Sequence, residues 1–291
     1  MFKSVFSHLP TLKHFRSQSS AETYKPKVVD PGDVIIKVTG STVCGSDLHL
    51  FHGAVVQMQK GDILGHEFCG VVDEVGPEVK NVKPGKRYVA SFQIACGKCR
   101  FCQQGLSSQC DRTNDSTVHN IMFGSRTAGL FGYSHFTGGY AGGQAEYVRV
   151  PYGDVNLLEL PDDVPDEKGL YLSDVLATSY HAVQDTRVYP RDTVAIWGAG
   201  PIGLMVAMFA QKNGASKVIL IDNNWRLEYA KKKLPGIDTI DYTALPRGKT
   251  VTAAIHEMVP GGVDAAIECV AGEYAKGVCL SLHQDWLHML T

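Results

Sequence analysis

Residues 193–222 read TVAIWGAGPIGLMVAMFAQKNGASKVILID. A short apolar run meets a glycine turn, a longer run with apolar stripes stops at Asn213-Gly214, and a second apolar run closes on Asp222. Strand, turn, helix, stop and strand in this order make one βαβ unit. Gly198, Gly200 and Gly203 supply GxGxxG, and Pro201 and Ile202 open the helix. In that context the glycines are a specific signal: the helix N-terminus can hold a pyrophosphate, and Asp222 ends the next strand where a ribose diol would lie. An acid there accepts hydrogen bonds from the 2′ and 3′ hydroxyls and repels a 2′-phosphate, which favours NAD over NADP. Arg226, close behind, leaves NADP open.

Beyond Asp222 the alternation continues, with WRLEYAKKK as a helix, IDTIDY as a strand, TVTAAIHEMV as a helix and VDAAIECV as a fourth strand. Four such strands can build a parallel sheet in the order 3-2-1-4, with a switch point between strands 1 and 4. Upstream the pattern is different. After the turn DPGD, Val34, Ile36 and Val38 alternate with residues of the other face, as in a strand with one buried side. Short strands over Gly70–Val75 and Arg87–Phe92, bounded by Gly76-Pro77 and Pro84-Gly85, predict a small barrel-like β unit. LPDDVPDE, around Pro161 and Pro165, reads as the connector that ends it.

At 291 residues and 44% hydrophobic content, the chain has room for two ordinary domains. The net charge of −2 and scattered Lys and Arg leave no electrostatic footprint for nucleic acid or anionic lipid. The best apolar window, near Val194 to Ala210, is interrupted by GAGP, which excludes a bilayer crossing. The first residues, MFKSVFSHLPTLKHFRSQSS, carry Lys3, Lys13 and Arg16 and no acid. That composition fits either a mitochondrial transit peptide or a disordered basic leader.

Of eight cysteines, Cys96, Cys99, Cys102 and Cys110 form CxxCxxCx7C. This spacing favours metal over disulfides and points to a reducing compartment, the cytoplasm. Four thiolates with no open position make a saturated, structural site; zinc is favoured, with an iron–sulfur cluster as the competing assignment. The stretch CGSDLHLFHGAVVQMQKGDILGHE, Cys44 to Glu67, sets a thiol, a hydroxyl, carboxylates and imidazoles among glycines. Cys44 and His66 are ligand types that zinc prefers, although a lone Cys and a lone His are more often packed core residues. Between Gly124 and Gly143, Phe131, Tyr133, Phe136 and Tyr140 are interleaved with glycines. This segment reads either as aromatic cover for a substrate cleft or as a plain surface loop.

The conjunction of CGSDxH, GHE, CxxCxxCx7C and GAGPIG resembles the zinc-dependent medium-chain alcohol dehydrogenase family, in its formaldehyde-dehydrogenase-like branch, over roughly Pro26 to Gly277. The resemblance implies an α/β protein: a GroES-like β-barrel catalytic domain over 25–172 and a partial Rossmann domain over 173–277, after a leader, 1–24. It implies a catalytic zinc on Cys44, His66 and Asp174, with Glu67 beside the metal and Asp47 orienting His66. Read alone, Asp174 is a surface acid. It further implies a proton relay from Ser46 to His49, NAD as hydride acceptor with Thr178 near the nicotinamide, and a small alcohol or hydrated formaldehyde as substrate. A polyol remains open. The tail 278–291, VCLSLHQDWLHMLT, fits neither the fifth strand of such a sheet nor the family's segment beyond that strand, so a shortened chain with an open apolar edge is expected. Full-length members would be homo-oligomers. The alternative to an active dehydrogenase is an inactive zinc- and nucleotide-binding remnant.

Overall fold

The computed structural model describes residues 2–5, 20–270 and 289–290. It divides into two units, Met1–Asp174 and Val175–Thr291, so the boundary falls two residues after the expected position of 172. In the expected disordered leader, Phe2–Val5 pairs antiparallel with Ser20–Thr23.

The first unit is built on the turn at Asp30–Asp33. The buried Asp33 carboxylate accepts the N–H groups of Val29 and Asp30 at 2.9 and 2.8 Å and the Arg149 guanidinium at 2.6 Å. One acid thus satisfies the turn donors and ties them to the strand Tyr147–Val150. The antiparallel sheet runs Tyr147–Val150, Val34–Ser41, Phe68–Val75, Arg87–Ala90, Leu157–Glu159. Register shifts at Ile35/Ile36 and Val38/Gly40 bend the second strand. Val34, Ile36, Phe68, Val72, Tyr88 and Phe131 pack on one face. Ile35 is nevertheless fully buried as well, which corrects the expected one-sided strand. The sheet has cover on its second face, where Cys69 and Val89 pack with Leu160 and Leu170.

The second unit is a parallel sheet in the order Asp238–Asp241, Lys217–Asp222, Thr193–Trp197, Ala265–Glu268, Met289–Leu290. Its first four strands follow the 3-2-1-4 order read from the alternation. Successive residues of Thr193–Trp197 point to opposite faces and both are covered, Val194 and Ile196 by Val206 and Ala210, Ala195 and Trp197 by Ile255. The expectation of no fifth strand is corrected. Met289 and Leu290 pair with Ala266 and Ile267, because the open edge of Ala265–Glu268 presents unpaired backbone groups that any extended segment can satisfy. The rest of the 278–291 tail lies outside the described residues.

The glycine turn has steric reasons. Gly198 takes φ +98°, and a Cβ on Gly203 would lie 1.8 Å from the Gly198 carbonyl oxygen. Gly203→Ala is therefore expected to destabilise the chain by about 1–3 kcal/mol, the usual cost of overpacking, read as a lower midpoint in urea unfolding.

Candidate active site

The helix Gly45–Phe51 begins where Asp47 folds back on its own N-terminus. The Asp47 carboxylate accepts the Cys44 N–H at 2.8 Å and the Gln144 side-chain amide at 3.1 Å, while the same amide also bonds the Thr42 carbonyl at 3.1 Å. Cys44 is thereby fixed at the helix entry. His66 comes from the loop before Phe68–Val75, and its aim depends on glycines. Gly65 sits at φ +96°, and Cβ atoms on Gly132 and Gly142 would come within 2.5 Å of the Gly65 nitrogen and 2.4 Å of its oxygen. Gly142, Gly143 and Gln144 donate their N–H groups to the Ile63, Gly65 and Leu64 carbonyls at 2.8, 2.6 and 2.9 Å. The glycine-rich segment is a close-packed wall behind His66 rather than a plain loop. Its Phe131 lies in the core, and Tyr133 meets the His66 ring edge-on at 6.0 Å.

One donor atom each from Cys44, His66, Glu67 and Asp174 lies within 4.8 Å of the others. His66 Nε2 is 3.4 Å from Asp174 Oδ2 and 3.8 Å from Glu67 Oε1, and Nδ1 faces Asp47 Oδ1 at 3.8 Å. With Zn–N and Zn–O bonds near 2.0–2.2 Å, the N···O edge of a tetrahedron is about 3.4 Å, so the imidazole and the Asp174 carboxylate fit zinc. Asp174 is held by the residue before it. Ser173, buried, donates its hydroxyl to the Ala90 carbonyl at 2.6 Å and lies 3.4 Å from that of His66.

The charges of this cluster call for a cation. Burial pushes the Asp47 and Glu67 carboxyls up, and the Asp174 charge adds to the shift of Glu67. Glu67 Oε2, Asp47 Oδ1 and His66 Nδ1 are buried without a hydrogen-bond partner. For His66 burial acts to lower the pKa, but the hydrogen bonds to Asp174 and Cys44 and the charges of Cys44 and Asp47 outweigh it and raise the imidazole to about 10.

Ser46 and His49 sit on the same helix three residues apart, hence on one face, with Ser46 half-buried and His49 exposed. Burial pushes the Tyr133 phenol up, while the neighbouring Ser46 acts to lower it. Sequence reasoning passed over the roles of Ser173 and Gln144: their partners, the Ala90 carbonyl and Asp47, lie far along the chain, and no spacing marks either contact.

The four-cysteine cluster is also assembled, with Sγ···Sγ distances of 3.4, 3.9 and 4.0 Å. Tetrahedral zinc at about 2.3 Å per bond gives edges of about 3.8 Å. The N–H groups of Cys96, Lys98 and Cys99 point at Sγ atoms from 3.3–3.4 Å, as thiolates require. The lobe carries almost no other core, Ala128 and Phe101 being its apolar neighbours.

In the second unit a cavity of about 780 Å³ is lined by Trp197, Gly198, Asp222, Arg226, Lys249 and Val270 among others. A Cβ built on Gly200 would meet no protein atom, which leaves the helix start beside Pro201 and Ile202 open to a ligand. Asp222 is buried and accepts the N–H groups of Ala199 at 2.6 Å and Asn223 at 2.7 Å. Arg226 reaches it at 3.4 Å, so the cation behind the acid is engaged with that acid. Thr178 lies on the helix Val175–Asp185 in this unit, not in the cavity wall. The next residue, Ser179, donates to the Ile202 carbonyl at 3.2 Å and ties that helix to the glycine turn.

Residues 30–162 match the alcohol dehydrogenase GroES-like domain family, and residues 201–285 match the zinc-binding dehydrogenase family. The chain is 46% identical over 260 residues to a zinc-type alcohol dehydrogenase-like protein of Schizosaccharomyces pombe, covering 89% of this chain and 60% of that protein. It is 38% identical over 264 residues to a glutathione-independent formaldehyde dehydrogenase of Pseudomonas aeruginosa, covering 87% and 62%. It thus spans about three fifths of the length of these curated relatives. Among solved structures, alcohol dehydrogenase TADH from Thermus sp. ATN1 superposes with a TM-score of 0.84 at 31% identity, covering 98% of this chain and 75% of that one.

Two outcomes are expected at the metal cluster. Asp174→Ala should release the metal held with Cys44 and His66 while the four-cysteine cluster stays loaded, one of two by elemental analysis. In the metal-free chain the raised His66 pKa adds stability below 6.5 that is lost as pH rises towards about 10. Zinc needs the neutral imidazole, so the loaded chain should show no such fall in thermal midpoint, and metal uptake at neutral pH should release protons.

Proposed function

The chain belongs to the zinc-dependent medium-chain alcohol dehydrogenase family of oxidoreductases, and from that premise we propose that it transfers a hydride from a small alcohol, or from a hydrated aldehyde such as formaldehyde, to NAD. The observation that carries this reading is the convergence of Cys44, His66 and Asp174 with Glu67 at one point. Zinc, when bound there, supplies Lewis acidity that brings a hydroxyl into the neutral pKa range, and a nicotinamide cofactor supplies the hydride acceptor. A second zinc on Cys96, Cys99, Cys102 and Cys110 stabilises the lobe in place of a hydrophobic core.

The protein's own residues bind, orient and move the proton. Asp47 fixes both Cys44 and the far side of His66, so the imidazole presents Nε2 to the cluster. Ser46 takes the substrate hydroxyl proton, and His49, exposed on the same helix face, passes it to solvent. Glu67, buried beside the donors, would stand next to the metal. Gly198, Gly200, Pro201, Ile202 and Gly203 hold the pyrophosphate, and Thr178 lies near the nicotinamide. Asp222 takes the ribose hydroxyls, and its charge disfavours a 2′-phosphate even with Arg226 and Lys249 on the same cavity wall. Glutathione-independent formaldehyde dehydrogenases among the relatives support the substrate class, and the thiolate cluster suits the reducing cytoplasm.

The test is the 291-residue chain with zinc and NAD, assayed by absorbance of the reduced cofactor against short primary alcohols, formaldehyde and sorbitol. Turnover with a one-carbon or short-chain substrate is expected and should vanish in Asp174→Ala. No turnover with both clusters metallated and NAD bound would overturn the proposal. Asp222→Ser should lower the NAD-to-NADP ratio of kcat/KM by about 10-fold or more, since one charged interaction is worth roughly that factor.

A further inference from the structure

Residues 53–65 join the helix that begins beside Cys44 to the loop that carries His66, and they hold no helix or strand. Their path is set by bonds to the glycine-rich segment. The Ile63, Leu64 and Gly65 carbonyls accept N–H groups from it at 2.8, 2.9 and 2.6 Å. Those bonds are main-chain and hold whatever side chains stand beside them. At Asp62, where the run of bonds begins, the tie is between side chains: His135 Nε2 lies 3.1 Å from Asp62 Oδ1. An ionised carboxylate only accepts, so Nε2 carries the proton.

Both partners are held from behind. The second Asp62 oxygen accepts the Gln59 N–H at 2.8 Å, and the Asp62 N–H donates to the Gln59 carbonyl at 3.2 Å, which closes a turn. His135 donates its own N–H to the Gln57 carbonyl at 3.3 Å. A Cβ on Gly139 would lie 2.5 Å from His135 Nδ1, so the ring has a wall on one side and the acid on the other. Gln57 takes φ +65°, and its side-chain carbonyl accepts the Ser116 hydroxyl at 3.2 Å. A residue with a Cβ keeps such a backbone only where its surroundings fix it.

We propose that His135 is a positioning residue for the metal site of Cys44, His66 and Asp174, clamping Asp62 so that the segment leading into His66 stays in register on the glycine-rich wall. This rests on the metal site of the reading above and not on turnover. The two side chains are 38% and 15% exposed, so the pair adds little to the stability of the whole unit. Its effect is local. With the tie cut, the bond at Ile63 becomes the end of the run and frays first, and the aim of the imidazole three residues on loosens with it. His135 acts only through Asp62.

The test is zinc release from the full chain loaded at both clusters, followed with a colorimetric chelator. Two phases are expected, and the one missing from Asp174→Ala belongs to the site with His66. His135→Ala should speed that phase about 5-fold, the factor one partly exposed ion pair can supply, and leave the four-cysteine phase unchanged. His135→Gln, whose amide still donates to Asp62, should stay within about twofold of the parent chain. In an Asp62→Ala background, His135→Ala should add nothing, because the interaction is already gone. An unchanged phase in His135→Ala, equal acceleration of both phases, a His135→Gln variant as fast as His135→Ala, or the full effect in the Asp62→Ala background would each overturn the positioning role. A parent chain that holds only the four-cysteine zinc would overturn the metal site itself and this inference with it.

Discussion

The site depends on backbone meeting backbone where no side chain fits. Gly65 is approached from one side by Gly132 and from another by Gly142, and Gly143 donates to its carbonyl at 2.6 Å. A methyl group on Gly132 or Gly142 would push the Gly65 backbone, and with it the His66 loop, away from the wall behind it. Glycine here has the opposite effect from a flexible linker: the absence of side chains lets two segments lock at hydrogen-bonding distance, and the aim of the imidazole is set by that lock.

That rigidity matters because the cluster is electrostatically costly. Asp47, Glu67 and Asp174 converge on one imidazole beside a thiol, and Asp47 and Glu67 are buried with it. Like charges this close cannot all stay ionised in a poorly solvated site unless a cation is among them. The polar contacts surrounding the site, Gln144 and the Cys44 N–H on Asp47 and Ser173 beside the His66 carbonyl, keep the donors together. Buried charges that a cation would offset are what the proposed metal site requires.

The second unit solves a different problem with the same residue type. A strand buried on both faces leaves a ligand access only at its end, and the end of Thr193–Trp197 is the turn where Gly198 and Gly203 touch and Gly200 faces open space. Asp222 at the end of the neighbouring strand is already engaged by Ala199, Asn223 and Arg226. Its carboxylate is thus oriented in advance, and Arg226 is drawn to the acid.

Local physics made part of this legible from the sequence. The period of apolar residues and the spacing of glycines determined the parallel unit from Thr193 onward, since both are properties of a single βαβ segment. Four cysteines within one short lobe marked the proposed structural metal cluster for the same reason. Asp174 was different: taken by itself it is a surface acid, and only likeness to a family marked it as a ligand. Tertiary structure alone brought it beside His66, buried Ile35 on a second covered face, added Met289–Leu290 to the sheet and turned the glycine-rich segment into a wall that carries Tyr133 to His66. These depend on contacts between residues far apart in the chain, and burial and close approach between such residues leave no period or spacing for the sequence to display.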